Sequence, residues 1–287
     1  MDPADWYADY DHLTWQGHTI PYRYEPRSGA PTILLIHGYP TASWDWYRIW
    51  PTLGKEFGLL AFDMLGFGWA DKPRKHPYSM RNQADLAFDV LAHCDVADPH
   101  LLVHDYGVSV GQEMLARLAE GAPRLRSCCF LNGGLIPDQH RPTLIQKLLA
   151  TPAGPLVARA ISRRGFGRAF SQVFGPNTQP TAAELDICWS LIERNDGRPI
   201  IASLIAYMAE RREFRDRWVG VLEAPPVPLR LVDGALDPVS GRHLAEEFAR
   251  IVPNADVVIL DDVGHYPQLE APERVADAAL AFFRSLA

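Results

Sequence analysis

Short apolar runs alternate with longer stretches of helical periodicity through most of this chain, and few architectures accept that rhythm. Strand, helix and strand in succession call for parallel strands joined by crossover helices, hence a sheet covered on its faces. The strand candidates are Thr32 to His37, Gly58 to Asp63, Leu101 to His104, Cys128 to Asn132, Pro228 to Asp233 and Val257 to Asp261. They are short and mostly apolar, as strands buried on both faces are. Before them, Leu13 to Trp15 and His18 to Tyr24 read as an antiparallel hairpin turning at Gln16-Gly17. Helical patterns fill the gaps at Ser79 to Ala92, Val108 to Ala119, Gly241 to Ile251 and Pro272 to Leu286. The last sets Val275, Ala279, Phe282, Phe283 and Leu286 on one stripe, suited to packing on a sheet.

The rhythm fails between about Ile136 and Val221. Helical segments follow one another there at Thr143 to Leu149, Leu156 to Arg163, Ala182 to Arg194 and Ile200 to Arg211. Pro and Gly punctuate them at Pro152-Ala153-Gly154, Gly175-Pro176 and Asp196-Gly197-Arg198-Pro199. The expected organisation is an α/β core in two stretches, residues 1–135 and 222–287, interrupted by an all-helical insertion over 136–221.

Composition excludes several functions. The 287 residues are 47% hydrophobic, enough for a substantial core, and carry 28 Lys plus Arg against 35 Asp plus Glu. That balance, without a basic run, argues against nucleic acid as a partner. Four cysteines show no metal-ligand spacing, and Cys128 and Cys129 sit in an apolar run, so they read as reduced core residues. The start, Met1-Asp2-Pro3-Ala4-Asp5, lacks a signal pattern, and no apolar run reaches the roughly 20 residues that cross a bilayer. The expectation is a cytoplasmic protein with no membrane span, metal or cofactor, monomer or homodimer, whose partner is a small hydrophobic substrate.

The chemistry concentrates at three loops. Leu101-Leu102-Val103-His104-Asp105-Tyr106-Gly107-Val108 reads as a strand, a sharp turn and a helix. Such an elbow sets a nucleophile on a strained bend with small residues beside it. Asp105 occupies the bend, where the N-terminus of the next helix favours negative charge. Gly107-Val108-Ser109-Val110-Gly111 matches G-x-S-x-G and offers Ser109 as a rival. A strand ending at Asp105 puts Ser109 inside the helix, away from the bend, so Asp105 is preferred.

The other two loops bring an acid and a base. Asp237 follows the strand candidate ending at Asp233, and His265 follows the last one, giving the order nucleophile, acid, base. A carboxylate with a reference pKa of roughly 3.9 is already ionised at neutral pH and can attack carbon unaided. The product is an ester of the enzyme; His265 then activates water to hydrolyse it, with Asp237 orienting the imidazole. His37-Gly38-Tyr39-Pro40 ends the first core strand, so the backbone N–H groups of Tyr39 and Tyr106 are candidate oxyanion donors, with a cis bond expected before Pro40. His37, His104, Trp189 and Tyr207 are candidate substrate contacts.

Together these motifs resemble the epoxide hydrolase and haloalkane dehalogenase branch of the α/β-hydrolase superfamily. The likeness runs through the His37 turn, Asp63-Met64-Leu65-Gly66-Phe67-Gly68, Ala70-Asp71-Lys72-Pro73, the Asp105 elbow, Leu236-Asp237-Pro238 and His265-Tyr266-Pro267. It extends into the insertion through His140-Arg141-Pro142, Phe174-Gly175-Pro176, Asn195-Asp196-Gly197 and Arg217-Trp218-Val219-Gly220, where it is similar to the mesoderm-specific transcript subgroup and its bacterial relatives. The resemblance implies an α/β-hydrolase fold, a mostly parallel eight-stranded sheet with an inserted helical cap, and a cofactor-independent hydrolase with an Asp-His-Asp triad. In dehalogenases a Trp directly after the nucleophile helps hold the halide; Tyr106 stands there instead, which weakens that activity. Epoxide hydrolases use cap tyrosines to protonate the opened ring, and Tyr207 lies in the last cap helix where one is expected. An epoxide hydrolase is the leading expectation. A haloalkane dehalogenase, an ester or lactone hydrolase and a non-catalytic ligand-binding member of the fold stay open behind it.

Overall fold

The computed structural model describes residues 1–286. Eight strands form one sheet: β1 (Asp11–Trp15), β2 (His18–Glu25), β3 (Thr32–Ile36), β4 (Gly58–Phe62), β5 (His100–Val103), β6 (Ser127–Phe130), β7 (Leu229–Gly234) and β8 (Asp256–Leu260). Their order is β1-β2-β4-β3-β5-β6-β7-β8. β1 pairs antiparallel with β2 and β2 with β4; every other pairing is parallel. This is the α/β-hydrolase fold. The central strands are apolar on both faces because helices cover both: β3, β4, β5 and β6 are buried throughout.

The chain leaves β3 toward β4 on one side, then crosses to place β5 on the other. That reversal opens a crevice beyond the C-terminal ends of β3 and β5. The register pairs Ile36 with Val103, so residues 37–39 and 104–106 leave the sheet side by side. Several observed strands stop one residue short of the sequence expectation, at Ile36, Phe62 and Val103, because the next residue has already turned toward the crevice.

Among the described residues, no strand lies between β6 and β7; that stretch is helical and loop. Its boundaries depart from the periodicity in two places. The helix expected over Leu156 to Arg163 is Gly154–Ala160, and a separate helix, Arg163–Ser171, begins where Ser162 Oγ accepts from Gly165 N–H at 3.1 Å. The helix expected over Ile200 to Arg211 is two, Ile201–Leu204 and Tyr207–Glu213. The final helix, Arg215–Glu223, lies against the elbow helix Tyr106–Leu118: Gln112 Nε2 donates to Trp218 O at 2.9 Å and Trp218 Nε1 to Glu113 Oε2 at 2.8 Å.

Candidate active site

Asp105 sits at φ 45° and ψ −101°. A residue with a Cβ adopts that left-handed conformation only under constraint, at a cost of about 1–3 kcal/mol. The surroundings impose it. Asp105 N–H donates to Asn132 O at 2.8 Å, and Gly107 N–H to His104 O at 2.7 Å and His37 O at 3.1 Å. A Cβ on Gly107 would stand 2.4 Å from Ile36 O, so glycine alone lets the helix begin this close to β3. A Cβ on Gly38 would stand 2.8 Å from Asp105 Cβ, so glycine also clears the carboxylate's own path.

The two carboxylate oxygens face different partners. Oδ2 accepts from Tyr39 N–H at 2.8 Å, beside the cis Tyr39-Pro40 bond; Oδ1 lies 3.7 Å from His265 Nε2. The other imidazole nitrogen, Nδ1, is 2.7 Å from Asp237 Oδ2. Asp237 is held in turn: Val239 N–H donates to Oδ1 at 2.7 Å, and Ser240 Oγ to Oδ2 at 2.7 Å. The loop that carries His265 is pinned by Glu270, which accepts from Gly264 N–H at 2.8 Å and Tyr266 N–H at 2.9 Å.

Electrostatics follow from this sandwich. Burial disfavours the imidazolium, but the charge and hydrogen bond of Asp237 and the nearby Asp105 carboxylate prevail and push His265 up to about 10. Burial likewise works against both carboxylates. The neighbouring His265, helped by Arg211, nonetheless holds Asp105 well below the usual range, and His265 also lowers Asp237. The resting site is therefore an imidazolium between two carboxylates. Asp233, next to Asp237, is pushed up to about 8 by burial and by that neighbouring charge, so it rests protonated near neutral pH.

Other expected contacts divide. His37 and His104 are not on the cavity wall, which corrects the expectation. Both imidazoles are fully buried and taken up by the loops behind the wall. His37 Nδ1 instead meets Gly38 O at 3.0 Å, and its Nε2 accepts from Met64 N–H at 3.0 Å. His104 Nε2 meets His265 O at 2.8 Å, and burial pushes His104 down to about 3, so it stays neutral and holds the His265 loop. Trp189 is on the wall. Tyr207 is buried behind it, its ring 5.9 Å from Tyr39 and 5.6 Å from Tyr106. Its hydroxyl accepts from Gln146 Nε2 at 3.0 Å, and Gln146 does face the cavity. Tyr106 opens the elbow helix, where first-turn N–H groups have no intrahelical partner.

Over the bend lies a cavity of about 300 Å³ with Asp105 and His265 in its wall. The rest is mainly apolar, with Leu149, Ile161, Phe166, Phe170, Trp189 and Ile192 from the insertion. No Lys or Arg lines it among the described residues.

One important side chain escaped the sequence reading. Arg211 comes from the insertion helix Tyr207–Glu213 and is only 1% exposed. Its Nη2 donates to the carbonyl of Asp105 at 2.9 Å and its Nε to Ser109 Oγ at 2.7 Å. Its Cζ lies 4.5 Å over the Tyr207 ring, and Nη1 is buried without a partner. No carboxylate pairs with it directly. A lone Arg near a helix end signals none of this. Asn132 reads from the sequence only as the end of a strand. It bridges the acid loop, taking Gly234 N–H on Oδ1 at 2.7 Å and giving Nδ2 to Asp237 Oδ2 at 3.2 Å.

Residues 33–278 match the alpha/beta hydrolase family; the chain belongs to that family and is by that membership a hydrolase. It is 40% identical to the mesoderm-specific transcript protein of Mus musculus, the match covering 99% of this chain and 89% of that one. It is 41% identical to LipZ of Mycobacterium tuberculosis, a hydrolase by its given name, over 89% of this chain and 90% of that one. Among solved structures, the haloalkane dehalogenase DbeA from Bradyrhizobium elkani superposes with a TM-score of 0.80 at 22% identity, covering 96% of this chain and 98% of that one. An enol-lactonase from Burkholderia xenovorans gives 0.78 at 18%, covering 96% and 100%. Those two likenesses concern the fold.

Proposed function

We propose that this chain hydrolyses a neutral, hydrophobic epoxide through a covalent ester on Asp105, with residues 136–221 acting as a cap over the cavity. The observation that carries the reading is the Asp105 carboxylate itself, one oxygen on Tyr39 N–H and the other facing His265, at the cavity wall. The rival hydroxyl, on Ser109, is buried and engaged by Arg211. A wall without Lys or Arg suits an uncharged substrate.

The steps balance with the groups present. Asp105 Oδ1 attacks a ring carbon while the C–O bond breaks and the ring oxygen leaves as an alkoxide. We assign the alkoxide's proton to Tyr207, which stands behind the wall next to Gln146 and, accepting from Gln146 Nε2, keeps its own proton undonated. Burial, with the Asp105 charge, raises the phenol's pKa and keeps it protonated until the stronger base appears. Esterification removes the Asp105 charge, one of two that hold His265 protonated. Its proton returns to the phenolate, and the neutral imidazole then deprotonates water. Hydroxide adds to Asp105 Cγ, and charge gathers on Oδ2 between the Tyr39 and Tyr106 N–H groups. Collapse expels the diol oxygen, which takes the imidazolium proton, and the regenerated carboxyl returns its own to His265.

A second reading, haloalkane dehalogenation, is favoured by one observation: Trp189 lies on the wall, a residue type whose indole N–H can hold a leaving halide. His265→Gln mixed with epoxide and haloalkane panels and weighed intact separates the two. The expected result is an adduct on Asp105 with the full mass of an epoxide. An adduct lacking the halogen transfers the site to dehalogenation. No adduct from any substrate that wild type turns over defeats the ester mechanism.

A further inference from the structure

We propose that the cap docks this hydrolase on an anionic lipid surface through Leu144, Leu148 and Leu156, set among cations without ion-pair partners. Five large apolar side chains are exposed among the described residues, and three of them are these, at 74%, 43% and 68%. Scattered single leucines on a surface are ordinary, but a cluster marks an interaction site. Leu144 and Leu148 are one turn apart on the helix Leu144–Leu149 and share a face; Ile145 and Leu149 of the same helix line the cavity. Leu156 stands near the start of the next helix, Gly154–Ala160, which packs on the first, and Pro152, Ala153 and Pro155 between them are exposed as well.

Charge selects the partner. Residues 139–183 contain six Lys and Arg and no Asp or Glu, whereas the remaining 22 basic and 35 acidic residues leave the rest of the chain at −13. Arg163 is paired with Asp186. Lys147, Arg159, Arg164 and Arg168 are exposed, make no ion pair among the described residues, and stand on the exposed leucines' two helices and the helix that follows. Apolar side chains that insert and cations that meet headgroups bind a charged bilayer together better than either alone. A second copy fits worse, because a two-fold interface sets this positive patch against itself. The same helices roof the cavity, so a neutral apolar substrate dissolved in the bilayer would lie beside the cap. The surface does not depend on which bond Asp105 attacks.

Co-sedimentation of the full chain with vesicles of phosphatidylcholine, alone or mixed with phosphatidylglycerol, tests this at low and high salt. Expected is binding to the mixed vesicles that falls with salt and drops about tenfold or more when Leu144, Leu148 and Leu156 are all changed to serine. Lys147→Gln with Arg164→Gln and Arg168→Gln weakens binding and flattens its salt dependence. Thermal melts establish that both surface variants fold. Absence of vesicle binding at low salt, or binding indifferent to the leucine variant, overturns the proposal. So does a dimer that the leucine variant dissolves, which would give the patch to a second copy.

Discussion

The sheet and the helical insertion meet at one cavity but are built by different rules. Asp105, Tyr39, Asp237 and His265 stand on loops that leave parallel strands, and backbone bonds between neighbouring loops fix their spacing. The insertion has no ladder. It is tied down mostly by side chains, beside the backbone bonds His265 N–H to Val173 O at 2.8 Å and Arg141 N–H to Val239 O at 3.0 Å: Lys72 Nζ donates to Leu191 O at 3.0 Å and Arg194 O at 2.8 Å, capping the end of an insertion helix, and Arg211 reaches the elbow. Burial lowers the Lys72 pKa to about 8, so even this anchor is a costly group kept for its geometry. The difference teaches a division of labour. The triad loops are spaced by the sheet, whereas the apolar wall is held mainly by side chains.

The sharpest way to break that comparison is to neutralise the proposed nucleophile. Asp105→Asn keeps the shape and removes the charge; turnover and adduct formation should fall by about 10⁴-fold or more, as nucleophile losses do. Ser109→Ala should leave turnover within a few-fold, its cost being a lost hydrogen bond of about 1 kcal/mol to Arg211 and a lower melting temperature. The opposite ranking would return the site to a serine hydrolase. The Asn variant carries a second readout. With one of its two carboxylate partners gone, His265 should titrate below about 10 while staying above an ordinary histidine because Asp237 remains. Imidazole nitrogen shifts followed against pH measure this. The sign also bears on stability: a histidine whose folded pKa is raised stabilises fully below its unfolded value, roughly 6.5. That stabilisation is lost as pH climbs from there through about 10, so Asp105→Asn should flatten the alkaline side of the stability profile.

The next largest effect should come from the cap. Tyr207→Phe removes the proton donor while keeping the ring that packs on Tyr39 and Tyr106. Ester formation from an epoxide should slow by about 10²–10⁴, while a haloalkane, whose leaving group needs no proton, should react at nearly the same rate. Single-turnover kinetics on both substrates give the ratio. An equal loss on both makes Tyr207 a packing residue.

Legibility in the sequence follows the same division. Strands were readable because burial on both faces leaves unbroken runs such as Ile33-Leu34-Leu35-Ile36, and the elbow because backbone crowding demands Gly107. The insertion was readable as helical but not in its breaks: Ser162 caps a new helix inside what periodicity continues. His37 and His104 misled because nearness in sequence to Tyr39 and Asp105 does not say where a side chain points once the chain bends at φ 45°. Arg211 was illegible because its meaning is tertiary. Nothing in Glu210-Arg211-Arg212 tells which guanidinium turns inward; Arg211 is buried and Arg212 exposed.

Arg211 also gives the smallest and most discriminating prediction, since it belongs to the insertion and acts on the sheet. The peptide joining Asp105 to Tyr106 is planar. Arg211 Nη2 holds its carbonyl end, so the Tyr106 N–H at the other end is fixed in direction and polarised by a buried cation. That N–H matters most when charge collects on Oδ2, in ester hydrolysis rather than ester formation. Arg211→Lys keeps the charge and loses the fork that spans Asp105 O and Ser109 Oγ. Removing an oxyanion donor costs about 10²–10³; loosening one should cost about tenfold, confined to the second step. The intermediate should therefore accumulate during turnover in an enzyme with His265 intact, visible by intact mass. A variant that slows both steps equally, with no ester building up, would show that the arginine only fastens the cap.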